Sequence, residues 1–133
     1  DRLITLAGKS TINGKPALEN DEMRRRLSAF DTRIEASRLN GLRALTRQVN
    51  GEAGDSEASL NKLHNCHLLV NMADTAMELL GGASPYVGES DASVDGGKWQ
   101  IGSLGWPTTV IGGGTPNIQR NIIAERILGL PKD

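Results

Sequence analysis

Cysteine is nearly absent from this chain: Cys66 stands alone, so no intramolecular disulfide can form and no Cys-rich zinc site can be assembled. That usage fits a reducing compartment, and the cytoplasm is the expected location. Aromatic residues are scarce as well. One Phe, one Tyr and two Trp are too few for the stacking platforms that hold single-stranded nucleic acid. Charge of one sign is also lacking, since the formal net charge is −1. Residues 1–50 carry ten Lys/Arg against six Asp/Glu, and residues 51–133 carry five against ten. Neither half is the dense basic patch that drives binding to phosphate backbones, so no nucleic-acid partner is expected. No apolar run approaches the roughly 18–20 residues that cross a bilayer. No signal-like segment opens the chain either, and no membrane association is expected. The start at Asp1 inside the apolar Leu3-Ile4-Thr5-Leu6-Ala7 is expected to lie within a longer protein.

What is present suits one ordinary globular domain: 133 residues, 38% of them hydrophobic and 23% charged. After a turn-rich stretch from Gly8 to Lys15, the run Pro16-Ala17-Leu18-Glu19-Asn20-Asp21-Glu22 offers cap-type side chains and acids, which favour a helix start. Met23, Leu27, Phe30 and Ile34 then recur at helical spacing, and Leu39, Leu42, Leu45 and Val49 continue the apolar face after a one-residue slip. The small residues Ala36, Ser37, Asn40, Gly41 and Ala44 in the second half predict a tight helix crossing. Asn50-Gly51 ends this helix, and Asp55-Ser56-Glu57 is expected to cap the next. There Leu60, Leu63, Cys66, Val70, Ala73, Met77 and Leu80 draw a single apolar stripe that stops at Gly81-Gly82. From Ala83 to Thr109 no helical period is visible, and a long connection without regular structure is expected, apart from a short strand-like run, Thr108 to Ile111. Thr115 as N-cap, Pro116 at the first helical position, Ile118, Ile122 and Ile123 inward, and Gly129 with Pro131 as a stop define a last helix. Three helices and no internal repeat predict an all-α antiparallel helical bundle.

Two glycine-bearing segments carry possible chemistry. Gly112-Gly113-Gly114-Thr115-Pro116-Asn117 sets three glycines before a helix N-terminus, where backbone amides and the helix dipole favour an anionic group. A flexible loop with an ordinary Thr cap explains the same residues, and the run matches neither the phosphate-loop motif nor the dinucleotide fingerprint. Glu78 with Gly81 and Gly82 forms the other candidate, and a plain helix C-cap accounts for it equally well. His64, Cys66 and His67 share a helix but lack the remaining ligands of a closed zinc site, and Cys66 falls on the apolar stripe, so no metal is expected. No strand-turn-helix serine motif supports a hydrolytic triad. Arg24-Arg25-Arg26 reads as a solvated helix face.

The segment from Gly112 through Ile118-Gln119-Arg120-Asn121-Ile122-Ile123-Ala124-Glu125-Arg126-Ile127-Leu128-Gly129-Leu130-Pro131 resembles the signature that closes acyl-CoA dehydrogenases. Ala76-Met77-Glu78-Leu79-Leu80-Gly81-Gly82 is similar to the end of the family's penultimate long helix. The resemblance covers nearly the whole chain but only the family's C-terminal four-helix bundle, with the first bundle helix largely missing and Arg2–Ala7 as its remnant. It implies FAD bound between subunits of a dimer or tetramer, and a parent enzyme that oxidises acyl-CoA to 2,3-enoyl-CoA and passes electrons to an acceptor. By resemblance the cofactor-binding positions are Glu78, Gly81, Gly82, Gly114, Thr115 and Asn117, with Glu78 standing where many relatives have glutamine. Gly113 falls at the position of the usual catalytic glutamate, so no catalytic residue is assigned and the chain alone is expected to be inactive. The implied partners are further copies or a related acyl-CoA dehydrogenase subunit. A helical module that completes a partner chain's flavin site is the alternative.

Overall fold

A computed structural model of the chain describes residues 1–52, 56–89, 91 and 93–132, with the side chains of Ser56 and Glu57 outside that description. Helix α1 (Arg2–Lys9) buries Leu3, Leu6 and Ala7 on one side. It leads to a two-residue hairpin, β1 (Thr11–Ile12) against β2 (Lys15–Pro16), with Thr11 opposite Pro16 and Ile12 opposite Lys15. Asn13 and Gly14 both take positive φ (52° and 76°), the turn whose twist matches that of paired strands. A 3-10 turn over Ala17–Glu19 seats Ala17 in the core.

Helix α2 (Asp21–Val49) opens as its sequence requires. The Asn20 side chain accepts from the Met23 amide at 2.9 Å, and Asp21 and Glu22 occupy the positive end of the dipole. Met23, Leu27 and Phe30 are buried in one core cluster with Leu3, Leu6 and Ala7 of α1 and residues of helix α3 (Ser56–Leu80). Beyond Phe30 the expected apolar face is uncovered: Ile34, Leu39, Leu42, Leu45 and Val49 are all exposed. The crossing predicted at the small residues is only partly made. Ser37 donates to Asn65 Oδ1 at 2.5 Å, but a Cβ placed on Gly41 would meet nothing within 4 Å. Further along the same seam, Arg33 donates to the His64 carbonyl (3.2 Å) and His64 Nε2 lies 3.0 Å from the Arg33 carbonyl. The expected cap at Asp55-Ser56-Glu57 lies outside the described residues and side chains.

Helix α3 is the centre of the bundle, and this corrects the single stripe. Cys66, Ala73 and Leu80 are buried as expected, but so are Leu68, Thr75, Ala76 and Leu79 away from that stripe, while Leu60 is exposed. A helix with neighbours on several sides buries more than one stripe. Those neighbours include α4 (Lys98–Ile111), a helix where a structureless connection and a strand-like Thr108–Ile111 were expected. Its pattern was hidden by Gly102, Gly105 and Pro107, which are poor helix formers in isolation, and by the near absence of buried apolar positions: Gln100 is its buried residue. Contact with α3 supplies the stability that propensity withholds. Gln100 Nε2 donates to the Tyr86 carbonyl at 2.9 Å, tying α4 to the turn that follows α3. Gly102 is required there, since a Cβ would sit 2.6 Å from Trp106 Nε1.

Helix α5 (Pro116–Ile122) continues into a π-helical turn, Ile123–Ile127. Its inward residue is Gln119, 6% exposed, whereas Ile118 is 51% exposed and Ile122 and Ile123 are half-buried. The expected inward position of Ile118 is therefore wrong by one residue. Gly129, at φ 66°, ends the helix as its sequence predicted. The architecture is the all-α bundle expected, and among the described residues α1 and α4 are two helices beyond the three that the sequence pattern showed.

Candidate functional site

The triglycine turn joins α4 to α5. Gly113 and Gly114 both take left-handed backbone, φ 70° and 96°, a conformation that costs little only for glycine. Gly112, Gly113, Thr115 and Asn117 are exposed and Gly114 is half-buried, so the turn faces outward. Two side chains hold it from behind. Lys62 of α3 donates to the Thr109 carbonyl near the end of α4, and its Cε lies 3.8 Å from the place a Gly113 Cβ would take. Gln119 Nε2 donates to the Gly113 carbonyl at 2.8 Å. A Cβ on Gly114 would stand 2.9 Å from that same nitrogen. Neither Lys62 nor Gln119 was picked out from the sequence. Gln119 lies in the very run read as an apolar face, and a polar residue in that register was the available signal.

The helix opening is largely satisfied within the chain. Thr115 Oγ1 accepts from the Ile118 amide (3.4 Å), the Gln119 amide bonds the Thr115 carbonyl (2.9 Å) and Pro116 has no N–H. That leaves the amide of Asn117 among the first-turn donors that a helix cannot pair internally. The Asn117 side-chain oxygen accepts from Arg120 Nη1 at 2.9 Å, which brings a guanidinium to the same edge.

Glu78, Gly81 and Gly82 lie elsewhere. Glu78 is in the last turn of α3, and Gly81 (φ 50°) starts the 3-10 turn after it. Cβ atoms on Gly81 and Gly82 would meet nothing within 4 Å, so both present open backbone. Glu78 forms a forked pair with Arg26 of α2, at 2.6 Å and 3.4 Å. Donating to the Glu78 carboxylate pushes the Arg26 guanidinium pKa up, with a smaller contribution from Glu22. The pair borders a cleft of about 350 Å³ lined also by Phe30, Arg33, Asp74 and Thr75. Because Lys62 marks the triglycine end, the two glycine segments sit about 28 Å apart along α3 at 1.5 Å per residue. The structure does not bring the six candidate residues together in one copy of the chain.

Elsewhere, Cys66 is buried with its Sγ 3.5 Å from the Leu63 carbonyl, and His64 is engaged across the α2–α3 seam. Among the described residues no group of three or more His, Cys, Asp or Glu is placed to hold a metal ion. No helix among them is long and apolar enough to cross a membrane.

A family model described as the C-terminal domain of acyl-CoA dehydrogenase matches residues 1–128. The chain belongs to the acyl-CoA dehydrogenase family. It is 30% identical over 143 aligned positions to acyl-CoA dehydrogenase IpdE1 of Mycobacterium tuberculosis, an alignment covering 100% of this chain and 36% of that protein. It superposes on the Tcur3481-Tcur3483 steroid acyl-CoA dehydrogenase with a TM-score of 0.82 and 25% identity, over 99% of this chain and 33% of that one. The FAD complex of PigA shares the fold, with a TM-score of 0.78 and 24% identity, over 97% of this chain and 31% of that chain. The chain thus spans about a third of the length of the relatives it matches. The family's C-terminal bundle accounts for the element order seen here, α4 included.

Proposed function

We propose that this chain is the FAD-contacting and oligomerising C-terminal domain of an acyl-CoA dehydrogenase, whose whole protein oxidises acyl-CoA to 2,3-enoyl-CoA. The observation that carries the reading is the match of the family's C-terminal domain to residues 1–128, joined to a triglycine turn at which Gly112 and Gly113 are exposed. When bound, FAD would supply the hydride acceptor for oxidation of the acyl chain. The residues here fit a contacting edge for that cofactor. Thr115 and Asn117 are exposed beside bare glycine backbone, and Gln119 keeps a buried side-chain oxygen with no protein partner. Anionic groups are favoured at such a helix opening. At the far end of α3, Gly81 and Gly82 expose backbone, and Arg26 balances the Glu78 carboxylate, which removes the repulsion an unpaired acid would exert on a phosphate.

The spacing along α3 supports a reading in which the two ends meet different cofactors. One copy offers Gly114, Thr115 and Asn117 to one flavin, and Glu78, Gly81 and Gly82 to the flavin of a neighbouring subunit. This arrangement makes cofactor binding depend on assembly. The exposed apolar residues of α2 supply a surface on which further subunits or the rest of the protein pack. Gly113 has no side chain to accept a proton, so this position supplies no base for removal of the acyl alpha proton.

The test compares FAD dissociation constants of the intact enzyme with those of Thr115→Ala, Asn117→Ala and Gly82→Leu variants. Each substitution weakens FAD, and mixed assemblies of the Thr115 and Gly82 variants recover a fraction of intact sites. Unchanged affinity in all three variants refutes the proposal. The domain by itself binds FAD weakly and has no dehydrogenase activity; tight stoichiometric flavin in the isolated domain contradicts the shared site.

A further inference from the structure

We propose that Gln119 is the positioning residue of the triglycine turn, acting through the turn's backbone and with Lys62 as its counterpart on α3. The inference deepens the flavin reading and takes its functional meaning from it. Gln119 is 6% exposed, in a register where Leu or Met would fill the same volume without burying an amide. Its Nε2 is used on the Gly113 carbonyl at 2.8 Å, while its Oε1 is buried without a protein partner. A half-satisfied buried amide is costly, which marks a position selected for something other than packing.

The geometry shows what that is. Gly113 and Gly114 have positive φ, and glycine backbone has many alternatives close in energy. Three consecutive glycines therefore sample widely unless something outside the run selects one conformation. The Gln119 carboxamide does so on one side, holding the Gly113 carbonyl against its buried Nε2. It also occupies the volume of a residue-114 side chain, since a Cβ there would lie 2.9 Å from Nε2. Lys62 acts on the other side by gripping the Thr109 carbonyl at the end of α4. The turn is thus fixed at both flanks by side chains from α5 and α3, and its backbone is set before any ligand arrives. Binding then incurs less ordering cost.

The experiment uses the intact enzyme, with hydrogen-exchange mass spectrometry on the peptide spanning residues 110–119 in the flavin-free state and FAD dissociation constants alongside. Gln119→Met keeps the volume and removes the donor; Gln119→Glu keeps the shape and replaces the donor by an acceptor; Lys62→Met releases the opposite flank. Gln119→Met is expected to speed exchange of the turn peptide roughly three- to tenfold, the worth of one hydrogen bond. A peptide over residues 68–80 of α3 stays unchanged, and FAD affinity falls by a similar factor. Lys62→Met gives a smaller change of the same sign. Unaltered turn exchange in both Gln119 variants overturns the inference, as does weakened FAD with unaltered exchange, which would make Gln119 a direct ligand contact. Faster exchange with unchanged FAD affinity upholds the positioning role and instead refutes the flavin reading of this turn.

Discussion

Gly114→Ala isolates the physics of the triglycine turn in a single methyl group. With φ at 96° the backbone lies beyond the left-handed basin that L residues tolerate, and holding alanine there costs about 1–3 kcal/mol. The new Cβ also arrives 2.9 Å from Gln119 Nε2. Because that nitrogen ends a flexible side chain, Gln119 moves rather than the backbone, and the bond to the Gly113 carbonyl is lost at about 1 kcal/mol. Together the loss is about 2–4 kcal/mol, a large share of the stability of a domain this size. Gly41→Ala is the internal control. Its helical φ and open surroundings let alanine stabilise by about 0.5–1 kcal/mol. Urea denaturation of both variants reads the difference directly. In a Gln119→Ala background the clash is gone, so Gly114→Ala costs about 1 kcal/mol less than in the parent chain. A Gly114→Ala variant within 0.5 kcal/mol of the parent, on the ~0.5 kcal/mol scale of ordinary surface substitutions, refutes this account of the turn.

Other outcomes follow from the same structure. Met23, 0% exposed where α1, α2 and α3 meet, loses about 2–5 kcal/mol on truncation to alanine, measurable as a lower urea midpoint at constant slope. Glu35 is held below the ordinary glutamate pKa by its hydrogen bonds from Arg38. Its contribution is therefore present above the ordinary value and fades as pH falls through the lowered one, and Arg38→Gln should return the carboxyl titration seen by NMR to the usual range. From the exposed Leu42 and Leu45 on α2 self-association of this chain is expected; light scattering should show a dimer or larger species that Leu42→Glu with Leu45→Glu reduces to monomer without loss of helicity. A monomer at every accessible concentration of the parent chain contradicts that.

Much of the bundle is written locally. Asn20 caps α2, Asn50 and Gly51 end it, Thr115 and Pro116 open α5 and Gly129 closes it, each through bonds made within a few residues. Such signals survive in any context, which is why α2, α3 and α5 were legible, along with the glycines that face outward at Gly81, Gly82 and Gly113. Family membership was legible for a related reason: the closing run from Gly112 to Pro131 is a dense local pattern.

What the chain's order of residues could not state was decided by packing. Helix α4 has glycines and a proline that oppose it, and exists because α3 lies alongside and Gln100 finds carbonyls beyond the end of α3. The several buried faces of α3, the Arg26–Glu78 pair and the Lys62 grip all depend on residues far apart in sequence. Contacts of that kind have no signature in spacing, because their geometry is set only once the helices have chosen their neighbours. The same holds for the wide separation of the two glycine ends, which only the length and direction of α3 in the folded chain determine.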